Sequence, residues 1–185
     1  INLKRRGSST GLVGKQDGFL LEIFTASNLD WLLFLTNQGR AFKTRIHKIK
    51  DTGNQGRGIH LANVISLAPG EKVVSMTPIS EFAENRFVLL ATRNGLIKKT
   101  RLTEYDSPRS GGLIAIKLRE DDELIGAELV TGDDHILLVS RKGQAIRFPA
   151  DDSQLRPMGR ATSGVTGMKF RDGDSVLSMS VIRAA

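Results

Sequence analysis

The chain has 185 residues, with 27 Lys/Arg against 20 Asp/Glu, a net charge of +7, and no cysteine. That length suits one domain with a sizeable core, the missing thiols exclude disulfides and thiolate metal sites, and the basic balance points to an anionic partner. No apolar run exceeds five residues, far below the roughly 20 needed to cross a bilayer as a helix, so no membrane partner is expected.

The chain opens on a Gly/Arg-rich turn, Lys4-Arg5-Arg6-Gly7-Ser8-Ser9-Thr10-Gly11, then an acidic turn at Asp17-Gly18 and an apolar strand. Residues 30–44 follow as a hairpin: an apolar run, a two-residue turn with Gly39, and a cationic run. The same order then returns. Gly/Arg turns recur at 55–58, 109–112 and 159–164, acidic turns at 69–71, 121–123 and 172–174, and hairpins at 86–100 and 134–148. The turn glycines Gly39, Gly95 and Gly143 are 56 and 48 residues apart. Asn94-Gly95 is the strongest turn signal, because both residues need positive φ. A β unit repeating near 50 residues, with about four short strands in each, predicts propeller blades. The chain therefore reads as all-β and as one domain over 1–185, with repeats at approximately 1–50, 51–105 and 106–155 and a partial one at 156–185. The apolar runs lack alternation, as in strands buried on both faces. Residues 45–53 and 151–158 have room for one helical turn at most. Three to four blades do not close a ring of the usual size, and the start at Ile1 rather than Met reads as a piece of something longer.

Charge falls along the chain. Residues 1–60 carry ten basic and four acidic side chains, residues 61–120 nine and six, and residues 121–185 eight and ten. A polyanion should be gripped mainly by the first half. The fourth residue after each hairpin glycine is basic, at Lys43, Lys99 and Arg147, which predicts an exposed cation stripe around a rim. One Trp and one Tyr supply few platforms for stacking single-stranded bases. Phe42 and Phe148 read as core residues.

No catalytic constellation emerges. His47, His60 and His135 have no partners at metal-ligand spacing. Residues 7–11 fit G-x-S-x-G, but that nucleophile elbow needs a buried strand before it and a helix after it; here a cationic run precedes and no helical pattern follows. Residues 10–15 lack the leading glycine and the Ser/Thr of a phosphate-binding loop.

Residues 91–100, Ala-Thr-Arg-Asn-Gly-Leu-Ile-Lys-Lys-Thr, with Asp106-Ser107-Pro108-Arg109-Ser110-Gly111-Gly112 and residues 155–165, closely resemble the C-terminal domain of the bacterial DNA gyrase A protein, with its topoisomerase IV relative. The resemblance implies a β-pinwheel, a propeller-like ring with strands exchanged between neighbouring blades, here a partial ring of three to four. It also implies a non-catalytic domain that bends duplex DNA around a basic rim. The parent would be an ATP-dependent type IIA topoisomerase, an isomerase of the bacterial cytoplasm and nucleoid that introduces negative supercoils. Its expected partners besides double-stranded DNA are gyrase B and the N-terminal breakage-reunion domain of the same polypeptide. ATP and Mg are used by the parent complex and no cofactor is expected in this domain. The cleaving tyrosine lies elsewhere, so Tyr105 is read as part of a blade connection. With the basic rim as the DNA surface, the candidate contacts are Lys4, Arg5, Arg6, Arg40, Lys43, Arg45, Arg57, Lys98, Lys99, Arg101, Arg109, Arg147 and Arg160. The family's basic Gln-(Lys/Arg)-Arg-Gly-Gly-(Lys/Arg)-Gly box matches Lys4 to Gly11 only at Arg5, Arg6 and Gly7. That departure keeps a topoisomerase IV domain, which selects DNA crossovers, beside the gyrase reading. A propeller acting as a protein-interaction platform is the reading from another class.

Overall fold

The computed structural model describes residues 2–6, 10–16, 19–52, 57–109, 111–171 and 173–185, with side chains described at Leu3 and from Phe24 onward. In chain order the strands are β1 (Asn2–Arg6), β2 (Thr10–Gln16), β3 (Phe19–Ala26), β4 (Trp31–Thr36), β5 (Arg40–Arg45), β6 (Ile59–His60) and β7 (Val73–Ile79). They continue with β8 (Phe87–Thr92), β9 (Leu96–Arg101), β10 (Leu113–Ile114), β11 (Leu124–Val130), β12 (His135–Ser140), β13 (Ala145–Pro149), β14 (Val165–Thr166) and β15 (Val176–Ile182). Short 3-10 turns occupy Ile46–Lys48, Leu61–Asn63 and Leu102–Tyr105. The all-β expectation holds, and the connection after β5 holds the single turn for which it had room.

Four sheets follow one another: β3-β2-β1-β6, β10-β5-β4-β7, β11-β8-β9-β14, and β13-β12-β15. Each of the last three is built on one predicted hairpin, β4-β5, β8-β9 or β12-β13. The first hairpin strand pairs with the strand after the next acidic turn: β4 with β7, β8 with β11, β12 with β15. All three pairings carry a register shift near the hairpin-turn end of the ladder. The second hairpin strand takes a two-residue strand launched by a later Gly/Arg turn, β10 on β5 and β14 on β9. Strand exchange is therefore physical: residues 106–155 supply strands to three sheets.

Side-chain alternation explains the unbroken apolar runs. Along β4, Leu32 and Phe34 join a core with Leu3, Ile46, Ile49 and Leu61, whereas Leu33 and Leu35 join the next core with Val88, Leu90, Leu102 and Tyr105. Along β8, Phe87, Leu89 and Ala91 face a third core with Ile136 and Leu138. A strand with a sheet on each side needs apolar residues at every position. In β12 only alternate residues are fully buried, consistent with one covered face.

The acidic turns lock the hairpin turns. Thr36 Oγ1 donates to Glu71 Oε2 at 2.7 Å, while Asn37 N donates to Lys72 O at 2.9 Å. Asn94 N donates to Asp122 Oδ1 and Lys142 N to Asp174 Oδ1, both at 3.0 Å. Glu71 holds a hydroxyl of the hairpin and Asp122 and Asp174 hold turn amides, so the recurrence of these carboxylates in the sequence is structural.

Candidate nucleic-acid interface

The predicted cation stripe divides once neighbouring connections are in place. Lys43 and Lys99 were expected to be exposed, and the structure corrects this. The Lys43 side chain is 8% exposed and its Nζ lies 3.1 Å from Asp106 Oδ1. Lys99 is fully buried, with Nζ donating to Ala150 O at 2.6 Å and Asp152 Oδ1 at 2.8 Å. Each ammonium also lies over aromatic rings, Lys43 over Trp31 and Phe82 at 4.2 and 4.7 Å, Lys99 over Phe87 at 4.6 Å. A cation is favoured there by the ring quadrupole. Both lysines pin the connection that follows the next hairpin. Arg147 is exposed.

Lys98 departs furthest from its predicted role. It is fully buried, and its Nζ donates to the carbonyls of Ala115 (2.5 Å), Gly159 (3.0 Å), Arg160 (2.6 Å) and Thr162 (3.1 Å). Four acceptors surround three protons. Burial pulls its pKa down to about 8, with Glu104 opposing the shift and Arg160 adding to it. Lys98 fastens the Gly/Arg turn that launches β14. In this arrangement neither Lys98 nor Lys99 can reach a polyanion.

The remaining candidates lie at or near the surface. Arg57, Arg101, Arg109 and Arg147 are exposed, and Arg40, Arg45 and Arg160 are partly so. Arg40 lies 3.6 Å from Glu71 and donates to Ser66 O at 3.1 Å; Arg160 donates to Ile114 O at 3.1 Å. The side chains of Lys4, Arg5 and Arg6 lie outside the described residues, as do residues 7–9 of the elbow pattern. Tyr105 is completely buried, and burial holds it in the neutral form.

The structure brings some of the cations together in a cleft of about 590 Å³. Its wall combines the end of the first hairpin (Trp31, Lys43, Arg45) with Lys48 from the 3-10 turn and Asp106 to Arg109 from the next connection. Four cations face one carboxylate. Arg45 packs its guanidinium 4.0 Å from the centre of the Trp31 ring, and the Lys43–Asp106 pair ties down the loop that carries Arg109. Lys48 was missing from the sequence-based set. It follows Arg45 by three residues, inside the Ile46/Ile49 spacing that buries two isoleucines in the core and leaves Lys48 outward. Among the described residues no cluster of His, Cys, Asp or Glu fits a metal ion.

Comparisons agree with this architecture. The family model described as DNA gyrase C-terminal domain, beta-propeller, matches residues 30–80, 86–131 and 134–183. The DNA gyrase A protein of Nocardioides sp. is 54% identical over 185 residues, covering 98% of this chain and 20% of that protein. Its Streptomyces coelicolor counterpart is 49% identical over 187 residues, covering 98% and 22%. The chain thus spans about a fifth of the length of these relatives. Among solved structures, the C-terminal domain of DNA topoisomerase IV superposes with a TM-score of 0.81 at 28% identity, covering 99% of this chain and 61% of that one. A DNA gyrase A C-terminal domain gives 0.71 at 25% identity, covering 97% and 57%. With three hairpin blades, their exchanged strands and the matched repeats in agreement, the chain belongs to the DNA gyrase C-terminal domain family of β-propellers.

Proposed function

We propose that this chain is the DNA-wrapping domain of a type IIA topoisomerase of the gyrase kind. It binds duplex DNA through phosphates and bends it, while cleavage and ATP hydrolysis, with its Mg, take place elsewhere in the complex. Its working partners are gyrase B and the breakage-reunion domain of the same polypeptide, in the bacterial cytoplasm. The observation that carries the reading is the cleft in which Lys43, Arg45, Lys48 and Arg109 oppose a single carboxylate, in a family of gyrase domains. Apart from Arg147 within β13, the described exposed cations sit on turns, connections and strand ends, and no helix long enough to read a major groove is among the described elements. Contacts of that kind favour phosphates over base edges.

Phosphate contacts release counterions, so log K should fall with log salt by about 0.9 per contact. With roughly four contacts, affinity for duplex DNA should fall by about two orders of magnitude between about 50 and 200 mM salt, whatever the base sequence. A flat salt response or strong preference for one sequence would overturn the proposal. The crossover-selecting topoisomerase IV role is separated by energy transfer between the labelled ends of one bound duplex, since wrapping brings them together.

A further inference from the structure

Resting on that reading, we propose that the duplex is seated at the junctions between blades. The residue three places past each hairpin's last strand position then decides which junction takes a phosphate. At the first junction this residue is Lys48, three after Arg45; at the second it is Glu104, three after Arg101. The scaffolds around them correspond closely. Lys43 and Arg45 flank Trp31 with their charges 4.2 and 4.0 Å from its ring, and Lys99 and Arg101 flank Phe87 at 4.6 and 5.6 Å. Lys43 pairs with Asp106 and Lys99 with Asp152. Ile46 and Ile49 are buried before and after Lys48, as Leu102 and Tyr105 are around Glu104.

The outward charges differ. The first cleft holds Lys43, Arg45, Lys48 and Arg109 against Asp106, a local surplus of three positive charges. At the second junction, Lys99, Arg101, Arg156 and Arg160 stand against Glu104, Asp151 and Asp152, and the surplus falls to one. A phosphodiester gains from a cleft whose low-dielectric walls focus positive potential, and gains less where carboxylates offset that potential. The first junction is then the strong seat, and Glu104 suppresses the second. The grip on DNA is thereby given a direction along the chain.

The test uses the protein's single tryptophan, which lines the first cleft. A labelled duplex of about 30 base pairs, a length for which bending costs a few kcal/mol, is titrated while anisotropy and Trp31 emission are recorded together. In the wild type both signals should share one midpoint. Lys48→Glu with Arg109→Glu, both exposed positions, should weaken binding about 30-fold or more and lower the salt slope by about 2. Glu104→Lys should tighten binding about threefold to tenfold and raise the slope by about 1, with Glu104→Gln between it and wild type. Lys169→Glu with Arg171→Glu, outside the cleft, should change affinity by less than about threefold. A cleft variant within threefold of wild type, or Glu104→Lys and Glu104→Gln both no tighter than wild type, overturns the seat. If Glu104→Lys misfolds by circular dichroism, Glu104→Gln alone decides. Absence of any duplex binding by the wild type instead overturns the wrapping function itself.

Discussion

Lys99 and Arg147 occupy the same station, four residues past the turn glycine of successive hairpins, yet Lys99 is fully buried and Arg147 is exposed. The difference lies in what covers each hairpin. Strand β9 is flanked by β14, and the connection through Ala150 and Asp152 closes over Lys99. Strand β13 pairs with β12, and no strand covers its other edge among the described residues. The turn glycines differ in the same way. Gly95 O accepts Gly167 N at 2.8 Å and Met168 N at 3.1 Å, and a Cβ on Gly95 would collide with Met168 O and the Phe170 ring. A Cβ on Gly143 would meet open space. A cation's place in the repeat therefore does not settle its role; the covering strand does.

The largest expected effect separates the two turns. Both glycines have φ near +90°, at 93° and 87°, where a Cβ costs about 1–2 kcal/mol through the backbone alone. Gly143→Ala should lose only that amount, whereas Gly95→Ala should lose a further 1–3 kcal/mol or so through overpacking. Urea denaturation of the two variants reads the difference, and equal losses would mean that β14 does not seat against this turn.

Lys98→Met removes the donor for four carbonyls, one of them fully buried in the bond to Ala115, and should cost about 2–4 kcal/mol. Its pH dependence sharpens the contrast with surface cations. Because the folded pKa is about 8 against an ordinary 10.5, the folded chain holds fewer protons than the unfolded chain between those values. Stability contributed at this site then rises with pH through that window. The gap between wild type and Lys98→Met should accordingly widen from pH 8 to 10.5. A gap that narrows would show that the carbonyl cradle holds the ammonium more strongly than burial opposes it.

The smallest effect compares the two members of the stripe. Lys99→Met leaves Ala150 O without its donor and Asp152 without its partner, and should cost about 1–3 kcal/mol. Arg147→Met should stay within about 0.5 kcal/mol. Thermal melts that rank these two in the opposite order would show that Arg147 is the structural cation.

Much of this was legible in the residues themselves. The hairpins at Gly39, Gly95 and Gly143 form where the strand–turn–strand pattern predicts, but each connection holds three residues, 37–39, 93–95 and 141–143, rather than two, and positive φ falls on the glycine alone and not also on Asn94. The left-handed position that closes such a loop selects glycine locally. The repeat of those hairpins pointed to the blade, and their unbroken apolar runs to sheets on both faces. The motifs at 91–100, 106–112 and 155–165 also led to the family. What residue order leaves open is which segment closes over which. Lys43, Lys99 and Arg147 look alike in sequence, and only closure across about 50 to 65 residues puts Asp106 beside Lys43, Asp152 beside Lys99 and three of the four carbonyls around Lys98. The same long-range closure gathers Lys48 and Arg109 into one cleft. Local sequence thus determined the strands, the turns and the sign of the surface, since these depend on backbone geometry and side-chain type. Tertiary structure decided which cations stay wet, because burial and pairing depend on contacts between segments far apart in the chain.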